Sequence, residues 1–272
     1  MPELPEVETV VRSLEPALKG LKFLEVHTNW KNHVVWGEGP FDELEGSKVL
    51  EVKRRGKFIV IFLENNYVIV VHLRMSGRIL IREVNEEALK FERTKLEFEG
   101  VSVRFCDVRK FGKVWVSTID EYEKLSGISR LGIEPFGDDM SAEIFKNIFA
   151  GRSGVVKKSL LDQSLITGIG NIYADEACFY AGIRPNADLK SLSKKELDVL
   201  FDSVMKALNQ GIENRGTSIS DFQDAYGKNG SNQEKLFVYG RGGEPCFKCG
   251  TTLVKCKVAS RGTVYCEKCQ RA

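Results

Sequence analysis

Long hydrophobic runs are missing from this 272-residue chain, and its start lacks a basic segment followed by an apolar one. Neither membrane insertion nor export is therefore expected, and the default compartment is the cytosol. Internal repeats and low-complexity tracts are also missing, which excludes a solenoid or a disordered scaffold. Strong net charge is lacking overall, at a formal +2. Cysteine is scarce over most of the length. Cys106 and Cys178 stand alone in apolar surroundings and read as core residues, while the other five of seven lie after residue 245. With 42% apolar and 29% charged residues the composition is that of an ordinary soluble globular protein with room for two domains.

What is present starts at the first residue. Met1-Pro2-Glu3-Leu4-Pro5-Glu6-Val7-Glu8 puts a small residue after the initiator, so trimming of Met1 is expected to leave the secondary amine of Pro2 at the chain start. An α-amine titrates nearer neutrality than a lysine and is nucleophilic at working pH. On capturing an aldehyde-level carbon it would become an iminium, which draws electrons without a further proton, and Glu3 beside it could shuttle protons. The same residues also read as a plain helix start, with Pro5 at the first helical position and Glu6 and Glu8 facing the positive end of the dipole. Leu4, Val7, Val11, Leu14 and Leu18 recur at helical spacing as far as Gly20. Both readings can hold, because a buried helix pins a terminal amine.

Residues 21–118 read as strands. A β-like run covers 23–30, apolar runs at 57–63 and 67–73 join across Glu64-Asn65-Asn66, and 95–98 and 101–105 turn at Glu99-Gly100, with 114–117 following. Short strands with turn signals between them predict a β-sandwich. A turn-rich linker spans 132–139, and helical periodicity then places helices at 141–150, 155–165, 171–182 and 193–213, the last opened by a Ser193/Glu196 capping box. Residues 215–234 form a polar loop too long for a simple connector. The expected fold is α+β and multidomain: an N-terminal helix and β-sandwich over 1–131, a linker at 132–140, a helical domain with the loop over 141–234, and a finger over 235–272.

Cys246-x-x-Cys249 and Cys266-x-x-Cys269, sixteen residues apart, have the spacing of a four-cysteine zinc site: two knuckles on a β-hairpin around one structural Zn²⁺, with Cys256 outside the set. A pair of disulfides is the rival, disfavoured without an export signal. A hairpin turn near Ser260-Arg261-Gly262-Thr263 would put Arg261 at the tip, with Lys255 and Lys257 along one arm. Residues 235–272 hold eight Lys or Arg against Glu244 and Glu267, a local +6 that suggests a polyanion partner or a solvated tail. Gly168-Ile169-Gly170-Asn171 precedes a helix, where backbone amides suit a phosphate or simply make an interhelical turn. Arg54-Arg55-Gly56-Lys57 and His72-Leu73-Arg74-Met75-Ser76-Gly77 would meet at one end of the sheet. Asp107-Val108-Arg109-Lys110-Phe111-Gly112 mixes an arginine with an exposed aromatic. With Met75 these could form a wedge that fills a vacated stack, since rotating a base out of a duplex costs roughly a few kcal/mol.

These motifs, together with Thr9-Val10 at the first helix, Ile172-Tyr173 after the glycine turn and Val238-Tyr239-Gly240-Arg241 before the finger, resemble in order the formamidopyrimidine-DNA glycosylase family of base-excision repair. The resemblance implies a β-sandwich packed with the first helix, a helix-two-turns-helix domain, a four-cysteine zinc finger, and DNA in the cleft between domains. It implies a bifunctional glycosylase and abasic-site lyase for oxidised purines in duplex DNA, a monomer, cytoplasmic and nucleoid-associated. By position, Pro2 is the nucleophile, Glu3 the proton donor, Lys57 an acid and phosphate contact in β-elimination, and Arg261 the residue of the δ step. His72, Asn171, Tyr239 and Lys255 match phosphate contacts, Met75, Arg109 and Phe111 the gap-filling set, and Lys157 a basic position near the abasic site. Arg152 joins the DNA contacts. The loop from Thr217 to Tyr226 corresponds to the segment that closes over the lesion.

Two departures stand out. Leu89-Lys90-Phe91-Glu92-Arg93 replaces a Lys-His-Asp-His-like stretch, so a DNA contact made there by histidine passes to Lys90 or Arg93, or is lost. Ser220 stands where a basic residue is common. Two alternatives stay open: an endonuclease VIII-type glycosylase for oxidised pyrimidines, and a non-catalytic zinc-finger DNA-binding protein in which Pro2 only starts a helix.

Overall fold

The first helix, α1 (Leu4–Leu18), buries Leu4, Val7, Val11, Leu14 and Leu18 along one face, as its spacing requires. Glu3 is its N-cap, and the Glu3 amide donates to Glu6 Oε2 at 2.8 Å, so the first turn opens with a capping box. Pro5 falls in that first turn, where its missing N–H goes unneeded. The computed structural model describes every residue except 31, 37–42, 126 and 220–221. The Ser220 departure therefore lies outside the described residues.

Among the described residues nine strands follow: β1 (Phe23–Thr28), β2 (Val34–Trp36), β3 (Val49–Arg55), β4 (Phe58–Leu63), β5 (Tyr67–His72), β6 (Gly77–Arg82), β7 (Glu92–Phe98), β8 (Val101–Asp107) and β9 (Lys113–Thr118). They form a four-stranded sheet in the order β1-β7-β8-β6 and a five-stranded sheet in the order β2-β9-β5-β4-β3, antiparallel except where β2 runs parallel to β9. Apolar side chains of both sheets and of α1 share one core, including Leu14, Phe98, Phe105, Ile61 and Val71. The predicted β-sandwich is thus present. The β4–β5 register pairs Phe58 with His72, which brings Lys57 and His72 to one end of the sheet as expected. The connections β5–β6 and β8–β9 both pass from one sheet to the other.

Beyond the strands come α2 (Ala142–Phe149), α3 (Val156–Leu160), α4 (Asn171–Ala181) and α5 (Lys194–Glu213), then the hairpin β10 (Val254–Val258) and β11 (Arg261–Tyr265). The capping box of α5 is formed: the Ser193 amide donates to Glu196 Oε2 at 2.8 Å. The helix expected over 155–165 ends at Leu160. Asp162 accepts from the Ser164 amide, and the Gln163 side chain bridges the Ile169 carbonyl and the Gly168 amide, replacing helical bonds with two tight turns. The chain divides into two compact units, the first made of Met1–Ser129 with Asn214–Ser231, the second of Arg130–Glu213 with Asn232–Ala272. Residues 214–231 group with the sandwich because they are fastened there: the Ile81 amide on β6 donates to the Ala225 carbonyl at 2.7 Å, and Arg78 reaches the Gln223 side chain at 3.0 Å.

Candidate active site

In the first unit, Met1 is 52% exposed while Pro2 and Glu3 are buried behind it. Met1 thus stands outside the packed turn that holds the two residues after it. Glu6, also buried, is the organiser of that turn. One carboxylate oxygen takes the Glu3 amide, and the other takes the Thr217 amide at 2.8 Å, tying the 214–231 loop to the chain start. Gly216 permits this approach: its φ is +83°, and a Cβ there would lie 3.1 Å from the Glu6 side chain and 2.7 Å from Phe222.

Lys57 lies in the β3–β4 turn, mostly buried, beside Gly56 at φ 59°. The turn is anchored to α1 through Arg54, whose Nε donates to Glu8 at 3.0 Å and whose Nη1 donates to the Gly56 carbonyl at 3.1 Å. His72 is close enough to feel the charges of Lys57 and Arg74, but burial is the larger effect, and together they bring its pKa down to about 3. Its Nδ1 accepts the Arg74 amide at 2.9 Å, leaving Nε2 as the protonated nitrogen of a neutral ring. His72 therefore keeps an N–H donor on Nε2.

Met75, Arg109 and Phe111 come together as a cluster. Met75 is 47% and Phe111 51% exposed, Arg109 Nη1 lies 3.2 Å from the Met75 sulfur, and the guanidinium sits 4.9 Å from the Phe111 ring centre. Of the two residues expected to replace the family histidine, Arg93 donates through Nε to the Asp107 carbonyl, whereas Lys90 is exposed beside the Phe91 ring at 5.1 Å.

In the second unit a basic residue of the expected site lies in the interior. Lys157 is fully buried, and its ammonium lies 2.7 Å from Asp175 Oδ1, 2.7 Å from Thr263 Oγ1 and 3.1 Å from the Gly262 carbonyl. Lys157 is thus an internal anchor for the finger hairpin. Asn171, expected at a phosphate, donates its amide to the same Gly262 carbonyl at 3.0 Å. Asp175 also accepts the Val264 amide at 3.3 Å, and burial pushes its pKa up to about 6 against the pull of Lys157. The next residue, Glu176, is buried and accepts the amides of Phe237, Val238 and Tyr239 at 2.8, 2.9 and 2.9 Å, which fixes the backbone that carries Tyr239. Glu6, Asp107, Asp175 and Glu176 went unassigned in the sequence. The signal for the last two was an acidic pair inside the otherwise apolar α4 stretch Ala174 to Phe179.

The finger turn is centred on Ala259 and Ser260, both left-handed at φ 49° and 61°, two residues earlier than expected. Arg261 then begins β11 opposite Val258, exposed next to the tip, and Lys255 and Lys257 are exposed on the same face of β10. Arg152 is exposed after α2 with Nε on the Ile148 carbonyl at 2.5 Å.

The Sγ atoms of Cys246, Cys249, Cys266 and Cys269 all lie within 4.8 Å of one another, with Cys249 and Cys266 at 3.5 Å and Cys246 and Cys269 at 4.0 Å. Tetrahedral zinc with thiolates at about 2.3 Å sets sulfurs about 3.8 Å apart, so the four fit the ion. Burial and then the neighbouring thiols push Cys269 up to about 12, whereas hydrogen bonds from Thr251 bring Cys249 down to about 6. Cys256 lies outside the cluster.

Comparison with known proteins agrees with this geometry. Residues 1–114 match the formamidopyrimidine-DNA glycosylase N-terminal domain, 131–223 the formamidopyrimidine-DNA glycosylase H2TH domain, and 243–272 a zinc finger found in FPG and IleRS. The formamidopyrimidine-DNA glycosylase of Desulfitobacterium hafniense is 41% identical over 272 residues, covering 99% of this chain and 100% of its own. A mutant of the Lactococcus lactis FPG in complex with Fapy-dG containing DNA superposes with a TM-score of 0.92 at 33% identity, covering 100% of both chains. The Lactococcus lactis Fpg complexed with abasic-site DNA does so at 0.91 and 33%, covering 99% of this chain and 100% of that one.

Proposed function

Because this chain belongs to the formamidopyrimidine-DNA glycosylase family, we propose that its DNA glycosylase and abasic-site lyase activities in base excision repair run through the Pro2 nitrogen and are directed at oxidised purines. The observation that carries this reading is the chain start: an accessible Met1 preceding a Pro2 that a buried capping box holds in one place.

With Met1 gone, the Pro2 lone pair attacks the anomeric carbon of an everted nucleotide, and the bond to the damaged base breaks. Glu3 protonates the departing side or the opening sugar ring, and the product is a cationic iminium between the proline nitrogen and the sugar carbon. That cation acidifies the adjacent sugar protons. Loss of one expels the phosphate on one side (β), and loss of a second expels the phosphate on the other (δ), with Lys57 serving the first step and Arg261 the second. His72 contributes a neutral N–H to a phosphate. Tyr239, Asn171, Lys255, Lys90 and Arg152 supply further contacts, and Met75, Arg109 and Phe111 occupy the emptied stack. One Zn²⁺ on the four thiolates would be purely structural, since its ligand shell is closed.

Borohydride reduces an iminium to a stable amine, so trapping on duplexes with different lesions tests the reading. The covalent adduct is expected to form faster on 8-oxoguanine opposite cytosine than on thymine glycol. Preference for thymine glycol would instead assign the chain to the oxidised-pyrimidine branch, and binding without any adduct would leave a non-catalytic DNA-binding protein.

A further inference from the structure

We infer that Asp107, with Ser76, is a positioning pair that assembles the gap-filling side chains Met75, Arg109 and Phe111 from two separate loops into one wedge. The inference rests on the function proposed above and extends it to residues that do not themselves reach DNA.

Met75 lies in the β5–β6 connection, Arg109 and Phe111 in the β8–β9 connection; the β5–β9 and β6–β8 pairings set the two loops side by side, with His72 opposite Lys113 and Gly77 opposite Asp107, but do not by themselves join their tips. Asp107 supplies the junction. It ends β8 directly opposite Gly77, the first residue of β6, and is 1% exposed. Its Oδ1 accepts the Ser76 hydroxyl at 2.6 Å and the Arg109 amide at 3.1 Å, while Oδ2 accepts the Gly112 amide at 2.7 Å. The Arg109 amide also lies 3.3 Å from Ser76 Oγ. One carboxylate therefore joins the residue after Met75, the backbone of Arg109 and the residue after Phe111. Short bonds from hydroxyl and amide donors to an ionised acceptor are the stronger kind.

The surrounding backbone needs such a clasp. Arg74 and Lys110, one in each loop, are held at φ 54° and 60°, a conformation unfavourable for side chains with a Cβ. Gly77 and Gly112 close over the Phe105 ring so tightly that a Cβ would lie 2.6 Å and 2.5 Å from it, and a Cβ on Gly112 would come within 3.2 Å of Asp107 Oδ2. On the other side, the Asp107 carbonyl takes Arg93 Nε at 2.8 Å and its amide donates to the Phe91 carbonyl at 2.9 Å. The carboxylate is thus fixed from below while its two oxygens point into the loops. Wedge preorganisation follows from this, because a filler that must first assemble gives up part of what it contributes when the base leaves the stack.

The test compares Asp107→Asn, Ser76→Ala and Ser76→Thr in the full-length protein on two duplexes. In one, 8-oxoguanine faces cytosine; in the other, a tetrahydrofuran residue replaces that cytosine, so the lesion is already unpaired and little stack remains to refill. On the first duplex Asp107→Asn is expected to lower kcat/KM by about 10- to 100-fold and Ser76→Ala by about 3- to 10-fold, with Ser76→Thr restoring most of the loss. On the second the deficits should shrink to within about threefold, because unpairing is cheapest for a base that lacks a partner. Equal deficits on both duplexes, or none on either, overturn the inference while leaving the proposed function intact. A wild-type protein that processes neither duplex overturns both. If Asp107→Asn does not fold, the Ser76→Ala and Ser76→Thr pair decides the matter.

Discussion

The two units hold their functional ends by different physical means. In the sandwich unit, α1 and the two sheets share an apolar core, and the turn proposed to carry the chemistry is the capped end of a helix already packed on it. In the unit bearing the finger, the hairpin is fastened by a buried Lys157–Asp175 pair, by Asn171, and by four sulfurs suited to one metal ion. Apolar packing is shared among many side chains and tolerates volume-conserving swaps, whereas a buried charge or a metal ligand has no substitute. Trp30, Trp36 and Trp115, the only tryptophans, all belong to the sandwich unit. Tryptophan fluorescence therefore follows that unit, and the contrast can be measured.

The largest effect should come from the metal site. Structural zinc contributes about 10–16 kcal/mol of binding free energy in small finger modules. Chelation, or Cys249→Ser, is expected to unfold the hairpin and weaken DNA binding strongly in a fluorescence-anisotropy titration, while the tryptophan melting curve stays put. Full activity in Cys249→Ser would contradict the structural role of zinc. Next, Asp175→Ala leaves the Lys157 ammonium buried without its counter-ion and should destabilise the finger-bearing unit by about 3–5 kcal/mol, read as faster amide exchange across residues 254–265. Equal loss in the tryptophan melt would erase the contrast. The converse substitution, Leu14→Ala in the fully buried face of α1, should lower sandwich stability by about 2–5 kcal/mol and leave zinc affinity unchanged in a chelator competition.

Acid gives the most discriminating effect. Burial brings His33 down to about 4 and, with Arg74 and Lys57, brings His72 down to about 3. The unfolded chain therefore takes up these protons first. Their contribution is fully present above the unfolded value of 6.5 and is lost as pH falls toward the folded values. With both rings involved, sandwich stability should drop by up to about 2.7 kcal/mol per pH unit, measured by denaturant unfolding followed through tryptophan between neutrality and mild acid. Asp175 has the opposite sign: raised to about 6 from 3.8, it adds stability as pH falls through that interval. Equal acid sensitivity in the two units would argue against this division.

Periodicity and spacing made much of this legible. The α1 face, the β4–β5 register and the four-cysteine set depend on repeats of helix, strand and knuckle, and each was readable from the order of residues alone. The misreadings fall where a polar side chain replaces a backbone bond or a buried ion pair replaces a surface charge. The helix expected to reach residue 165 stops at Leu160 because Asp162 and Gln163 take over the amides. Lys157 reads as a basic position near the abasic site, and its burial is not legible because it depends on a partner eighteen residues away, Asp175, which linear order does not pair with it. The roles of Glu6 and Asp107 were hidden for the same reason, since each joins segments that only the folded chain brings together.

The central claim is that the Pro2 nitrogen forms the bond to DNA. Its most direct test is mass spectrometry of peptides from the borohydride-trapped complex. The account predicts that Met1 is absent and that the sugar remnant is attached to the Pro2 nitrogen. A remnant on a lysine such as Lys57, or efficient trapping by protein that still carries Met1, would contradict it.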